Sequence, residues 1–385
     1  MSILNTEAAV RERYSSAAEQ REPALCCPVD YDRKYLEVIP QEVIDRDYGC
    51  GDPSKYVRAG ETVLDLGSGG GKICFIASQV VGQSGFVIGV DMNDDMLALA
   101  RKSQKTVAQR IGFDNIRFCK GKIQDMQIDR DRVDDYLSDH PVDSEASLQR
   151  FEHYLAEMRS KEPMIPDNSV DVVVSNCVLN LVDAAEKEKL FAEIFRVLRP
   201  GGRAVISDIV SDEPVPAEMQ QDGHLWSGCI SGALQEKEFI DAFVRAGFQG
   251  VEMPAYQTEP WQVVQGIEFR SVTVIAYKYP DIPCYEHNEA VVYRGPYSSV
   301  KDDDGHEFTR GVRAAVCRKT FEKMQSEPYG KDFLAISPAI EISPEEAAFY
   351  DCTGGQVVRS PKVTKGGTVA VAAIETACCS EDGCC

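Results

Sequence analysis

From Thr62 onward the chain alternates short apolar runs with longer amphipathic stretches. Residues 62–66, 86–90, 116–119, 170–175 and 203–207 are aliphatic-rich and of strand length. Between them, residues 73–81, 95–111 and 185–198 read as helices, and Pro200-Gly201-Gly202 is expected to end the last. Strands and helices in alternation build an open, doubly wound parallel sheet, because a strand buried on both faces needs helices on either side. Beyond Asp208 the pattern is less regular. Pro214, Pro216 and a loop with His224-Leu225-Trp226-Ser227-Gly228-Cys229 lead to a helix at 237–246 and strands at 250–253 and 271–279, which complete the sheet.

The flanking regions divide by composition. Residues 1–60 are polar and hold Cys26-Cys27-Pro28 and the turn-rich Tyr48-Gly49-Cys50-Gly51-Asp52-Pro53-Ser54, which reads as a cap. Residues 61–210 form the α/β unit, interrupted at 127–163 by a charged insertion with a helix at 148–159. That segment is longer than an ordinary strand connection and reads as surface. Residues 211–280 close the sheet, 281–350 form a smaller α+β unit, and 351–385 are a flexible tail ending in the pairs Cys378-Cys379 and Cys384-Cys385.

Composition narrows the function classes. At 385 residues and 43% hydrophobic content the chain has ample material for a buried core. A formal net charge of −21 repels a nucleic-acid backbone or an anionic membrane surface, so a small substrate fits better. No apolar run approaches the ~18 residues of a bilayer span, and the first residues lack the basic and apolar segments of a signal peptide, which points to a cytoplasmic protein. The fourteen cysteines are then expected to be reduced thiols, available for metal binding, redox work or packing.

The first apolar run enters a glycine-rich turn, Val63-Leu64-Asp65-Leu66-Gly67-Ser68-Gly69-Gly70-Gly71, before a helix. Missing side chains there let a nucleotide-like ligand approach the backbone, although tight strand-to-helix turns also select glycine. The next strand ends in Asp91, whose carboxylate is placed to accept hydrogen bonds from both hydroxyls of a ribose. A nicotinamide dinucleotide enzyme would show G-x-G-x-x-G, and Lys72 stands at the last of those positions. Together these segments resemble class I S-adenosyl-L-methionine methyltransferases. The resemblance implies that Gly67 and Gly69 approach the methionine part, Asp65 orients its amino group, Asp91 holds the ribose and Met92 packs on adenine. Lys122 and Ile123, after the third strand, would flank the adenine, and Asn176, at the end of the fourth, would face the same cofactor.

Four cysteines fall near that loop: Cys50 in the cap, Cys74 on the first helix, Cys177 past the fourth strand and Cys229 in the loop after the fifth. Cys177-Val178-Leu179 stands where amide and DNA-base methyltransferases carry a proline-aromatic motif, which argues against a nitrogen acceptor and for a soft one. Tyr48-Gly49-Cys50-Gly51, Leu64–Gly69 with Cys74, Ser175-Asn176-Cys177 with Asn180-Leu181, and Leu225–Leu234 resemble the arsenite S-adenosylmethionine methyltransferases. The likeness covers residues 40–280 well and continues more weakly through 290–295 and 315–317, with a longer insertion than that family shows and a segment around Cys284 that follows its pattern loosely. It implies methyl transfer to thiolate-bound trivalent arsenic, bound by Cys177 and Cys229, with Cys74 as third thiolate or resolving thiol and Cys50 as its redox partner. Thioredoxin or glutathione would be the thiol reductant. Two other readings remain open: a methyltransferase acting on carbon or oxygen of a small organic acceptor such as a quinone, and a metalloid-binding protein without catalysis. The remaining vicinal cysteines collect arsenite or are dispensable, and His224 and Trp226 read as packing.

Overall fold

The structure, a computed structural model, describes residues 6–19, 22, 29–353 and 355–366. Cys26, Cys27 and the four terminal cysteines, and with them the expected delivery role, lie outside the described residues. Two compact units divide the chain, one up to Tyr279 and one from Pro280.

The first unit opens with helix α1 (Thr6–Glu19). Strands β1 (Thr62–Leu66), β2 (Phe86–Asp91), β3 (Ile116–Lys120), β4 (Val170–Asn176) and β5 (Leu198–Ser211) then alternate with helices α2 (Lys72–Val81), α3 (Asp94–Ile111), α4 (Arg130–Asp139), α5 (Glu145–Lys161) and α6 (Lys187–Val197). After β5 come α7 (Gly223–Ser227), β6 (Leu234–Gln235), α8 (Glu236–Arg245), β7 (Gln249–Tyr256), β8 (Gln262–Val264) and β9 (Ile267–Tyr277). The sheet order is β3-β2-β1-β4-β5-β9-β7, with β6 beside β5 and β8 beside β9. The five strands from β3 to β5 run parallel, while β9 pairs antiparallel with both β5 and β7. Strands β1 and β4 are buried almost end to end, as helices on both faces require, and each aliphatic side chain so buried contributes about 1.5–3 kcal/mol. Strand order reverses between β1 and β4, so their carboxyl ends border a crevice.

The expected elements are present with local differences. Pro200-Gly201-Gly202 lies inside β5 instead of forming a separate stop: helix α6 ends at Val197, and Gly201 N donates to Lys278 O at 2.7 Å while Lys278 N donates to Gly202 O at 2.9 Å. Those bonds hold the turn against the chain leaving β9 as a bulge in register between Leu198 and Arg203. Strand β5 also runs on to Ser211, because β9 pairs with it that far. The insertion holds two helices, α4 and α5. They bury Val133 and Met158 with Ile128 beneath them, and Tyr136 stacks on Tyr154 at 4.1 Å.

The second unit places β10 (Ala290–Tyr293) between β13 (Arg313–Ala315) and β14 (Phe333–Ile336), with a hairpin of β11 (Ser299–Lys301) and β12 (Glu307–Thr309) and the short helix α9 (Arg318–Lys323). Val291, Tyr293, Phe308, Phe321 and Phe333 form its core. Residues 355–366, placed by composition in the tail, pack within this unit: Val358 bridges Ala314, and the Arg359 guanidinium grips Glu286 at 2.7 and 2.8 Å.

Candidate active site

A cleft of about 1110 Å³, open to solvent, lies at the carboxyl ends of β1, β2 and β4. Gly67, Ser68 and Gly69 line it together with Asp65, Asp91, Met92, Ile123, Asn176 and Cys177. Gly67 has φ +64° and Gly69 φ +52°, a backbone that disfavours side chains, and a Cβ on Gly67 would collide with Val178. The turn therefore presents bare backbone to the cleft. Asp91 clamps it: one carboxylate oxygen accepts from Gly69 N and the other from Asn93 N, both at 2.8 Å.

The two carboxylates are desolvated. Burial raises Asp65 to about 7, and the charges of Asp91 and Asp47 push the same way while the Cys74 thiol, donating to it at 3.1 Å, opposes them. Asp91 is raised by burial too, against the N–H groups of Asn93, Gly69 and Met92. Lys72, at the start of α2, does not relieve Asp65: it is buried, paired with Asp47 and held 3.6 Å over the Tyr31 ring. A cationic ligand entering the cleft would relieve both carboxylates. The buried Ser68 Oγ lacks a hydrogen-bond partner and offers that ligand a further contact. An aminoacyl sulfonium nucleoside such as S-adenosylmethionine fits these features.

Three of the four singled-out thiols gather beyond the glycine turn. Cys50, Cys177 and Cys229 share one buried cluster with Ile209, Ile230 and Phe269. The Sγ atoms of Cys50 and Cys177 and a carboxylate oxygen of Asp208 lie within 4.8 Å of one another, and Cys229 Sγ donates to Cys177 O at 3.2 Å. Cys177 and Cys229 both adopt left-handed backbone, φ +64° and +62°, at a cost of about 1–3 kcal/mol each. A bond across to β5, Cys177 N donating to Ser207 O at 2.8 Å, holds the first, and a turn bond, Cys229 N donating to Trp226 O at 3.1 Å, holds the second. Cys74 stands apart, fully buried in the cluster of Val63, Phe75 and Val87. Its pKa is pushed well above the thiol range by burial and by the charge of Asp65, so it is a protonated thiol in this conformation.

Asn176 lines the cleft, but its side-chain amide is committed to the cap. Its oxygen accepts from Cys50 N at 2.9 Å and Gly51 N at 3.0 Å, and its nitrogen donates to Gly51 O at 2.8 Å and Tyr31 Oη at 3.1 Å. That is how a loop remote in sequence brings Cys50 to Cys177. Gly49 is needed beside it, since any Cβ there would overlap the Asn176 amide. Lys122 pairs with Glu7, fastening α1 to the loop after β3, and Trp226 Nε1 donates to Leu181 O at 3.2 Å as a packing residue.

Several site groups were not singled out from sequence. Tyr14 on α1 lines the cleft, and its phenol is pushed well above its usual value by burial, then by Cys229 and Cys177, with a hydrogen bond to Cys229 adding to the rise. Asp208, fully buried, accepts from Leu179 N and Ile209 N at 2.8 Å and is raised to about 6 by that burial. Lys187 Nζ donates to Leu179 O at 2.9 Å and is lowered by burial to about 8, with Asp208 and Cys229 opposing. The one available signal was Asp208 inside an apolar strand, Ala204-Val205-Ile206-Ser207-Asp208-Ile209-Val210.

A glycine turn clamped by the second strand's carboxylate, at the crevice of a 3-2-1-4-5 parallel sheet, defines a class I, Rossmann-like methyltransferase. The family described as methyltransferase domain matches residues 58–160 and 143–247, and a domain of unknown function (DUF8838) matches 280–369. An arsenite methyltransferase of Aquipseudomonas alcaligenes is 30% identical over 334 residues, covering 83% of this chain and 85% of its own. One from Rattus norvegicus is 27% identical over 350 residues, covering 88% and 83%. The crystal structure of an arsenic (III) S-adenosylmethionine methyltransferase from Chlamydomonas reinhardtii superposes with a TM-score of 0.54 at 25% identity, covering 84% of this chain and all of that one. The chain belongs to the arsenite methyltransferase family. No helix among the described residues is long and apolar enough to cross a membrane.

Proposed function

We propose that this chain methylates trivalent arsenic, with Cys177 and Cys229 as the thiolates that bind it and Cys50 as the third sulfur. The observation that carries the reading is the buried cluster these three thiols share, with the Sγ atoms of Cys50 and Cys177 within 4.8 Å of each other, Cys229 Sγ donating to Cys177 O, and Cys177 lining the glycine-turn cleft. Trivalent arsenic is soft and thiophilic; three thiolates bind it as a pyramid and leave its lone pair outward. Bound in the cleft by Asp65, Gly67, Gly69, Asp91, Met92 and Ile123, S-adenosylmethionine supplies an electrophilic methyl group on a sulfonium sulfur. The lone pair is already the nucleophile, so the residues supply orientation and exclusion of water, without a general base. The left-handed turns fix Cys177 and Cys229, and Asn176 fixes the backbone of Cys50.

Methylation oxidises arsenic formally to the pentavalent state. Two thiols return it to the trivalent state by forming a disulfide, which thioredoxin or glutathione reopens. Cys74 is the resolving thiol in this scheme, and it must leave its contact with Asp65 to act. Such a cycle needs a reducing compartment, which supports a reading of the protein as cytoplasmic. Residues 1–60 serve as the cap that carries Cys50, 61–210 bind the cofactor, and 211–280 complete the arsenic site.

Labelled S-adenosylmethionine, arsenite and glutathione with thioredoxin test the proposal. Wild type is expected to form methylarsenic, and Cys177→Ser and Cys229→Ser to lower kcat/KM by about 10²-fold or more while cofactor affinity stays unchanged. Wild-type formation of methylarsenic by both variants would end the assignment of Cys177 and Cys229 as the arsenic ligands, and methyl transfer by wild type to a quinone but not to arsenite would assign the acceptor to an organic carbon or oxygen atom. Arsenite binding without any methyl transfer would leave only a binding protein.

A further inference from the structure

The second unit holds a trio of thiols that methyl transfer does not use. Cys284, Cys317 and Cys352 come from three separate segments, and their Sγ atoms lie within 4.8 Å of one another. Backbone contacts made by neighbouring residues set this arrangement. Arg318 N donates to Tyr285 O and Tyr350 N to Cys284 O, both at 2.9 Å, and Tyr350 Oη donates to Ala315 O at 3.0 Å. Cys317 is fully buried at the start of α9, whereas Cys284 and Cys352 are half-buried. Access is open, because Cys317 and Cys352 line a cleft of about 900 Å³. No disulfide joins these cysteines, and among the described residues no histidine, carboxylate or further cysteine joins the group.

We propose that this trio is a second, non-catalytic binding site for trivalent arsenic, held by three sulfurs. The choice of ligand rests on the reading of the chain as an arsenite methyltransferase; the thiol geometry does not. A closed zinc site takes four ligands, and three thiolates alone suit a three-coordinate soft centre. Sulfurs bonded pyramidally to one centre at about 2.3 Å stand roughly 3.5 Å apart, so side-chain rotations close the triangle. Binding is an exchange without redox change. Arsenous acid loses its three hydroxyls, each leaving as water with one thiol proton, while three As–O bonds break and three As–S bonds form.

The test uses the full chain carrying Cys177→Ser and Cys229→Ser together with Cys26→Ser, Cys27→Ser, Cys378→Ser, Cys379→Ser, Cys384→Ser and Cys385→Ser, reduced with a phosphine, and arsenite alone as the probe. One arsenic per chain is expected to survive gel filtration, with three sulfur neighbours by X-ray absorption. Adding Cys352→Ser or, separately, Cys284→Ser is expected to weaken retention at least ~10-fold with the circular dichroism melt unchanged; both side chains are half-buried, so folding is spared. Retention unaffected by either substitution would assign the arsenic to other thiols and overturn the inference, as would zinc held at these cysteines to the exclusion of arsenite. Methyl transfer by wild type is measured in parallel. Its absence with the trio still binding would sink only the reading of the first site, and its presence without binding at the trio would sink only this one.

Discussion

Asp65 shows how a site residue is held against its own solvation. The carboxylate is 2% exposed, receives one thiol hydrogen bond, and is raised from 3.8 to about 7 chiefly by burial. An acid whose folded pKa lies above its unfolded one binds more protons when folded, so its contribution to stability falls as pH rises from about 4 to about 7. Asp65→Asn, which still accepts from Cys74, is therefore expected to gain stability over wild type across that window, by at most about 4 kcal/mol at pH 8. The same substitution is expected to weaken cofactor binding. Denaturant melts of both proteins at pH 5 and pH 8 check it, and a stability difference that does not grow with pH would mean that Asp65 is not penalised by burial. Stability held in reserve this way is what a site meant for a cationic ligand requires.

At the scale of elements, the working part is the passage from β1 through the glycine turn into α2, with α1 laid over it. Glu7, Val10, Arg11 and Tyr14 of α1 line the cleft, and Arg13 reaches His224 O at 2.9 Å and Ser227 Oγ at 3.2 Å beside the Cys229 turn. One helix thus touches both the cofactor side and the thiol side. At Gly67 the turn has no room for an added carbon. Gly67→Ala combines a left-handed φ with overlap onto Val178, a penalty of about 2–4 kcal/mol, and is expected to lower both the melting temperature and cofactor affinity. Val178→Ala added to it relieves the overlap and leaves the backbone term, so partial recovery is expected by calorimetry and titration. Full recovery would show that backbone strain plays no part.

Across the whole molecule, the net charge of −21 sets a background that local ion pairs only partly offset. Arg203 grips Glu61 at 2.8 and 3.0 Å and Arg196 bridges Glu193 and Asp167, but most other pairs are exposed and contribute little. Salt is therefore expected to raise the melting temperature between about 10 and 150 mM, as the screening length falls from about 30 to about 8 Å. An unchanged or falling melting temperature over that range would show that local pairs, not net repulsion, dominate. The acidic balance also suits a chain whose ligands are small and whose cofactor arrives positively charged.

Much of this architecture is written locally in the chain. The alternation of apolar runs and helices, the glycine turn after Asp65 and the terminal Asp91 each depend on a few neighbouring residues, so period and turn chemistry were enough to place them. The family likeness singled out the four thiols on the same kind of local match. Which thiols meet is a different matter. It depends on Asn176 capturing the Cys50 loop, on left-handed turns at Cys177 and Cys229, and on Asp65 holding Cys74 in another cluster. Likewise the bulge at Gly201 exists because of the chain beyond β9, and the trio of Cys284, Cys317 and Cys352 because distant backbone segments pair. Hydrogen bonds between residues far apart in sequence leave no periodic trace, so only the tertiary structure decided them.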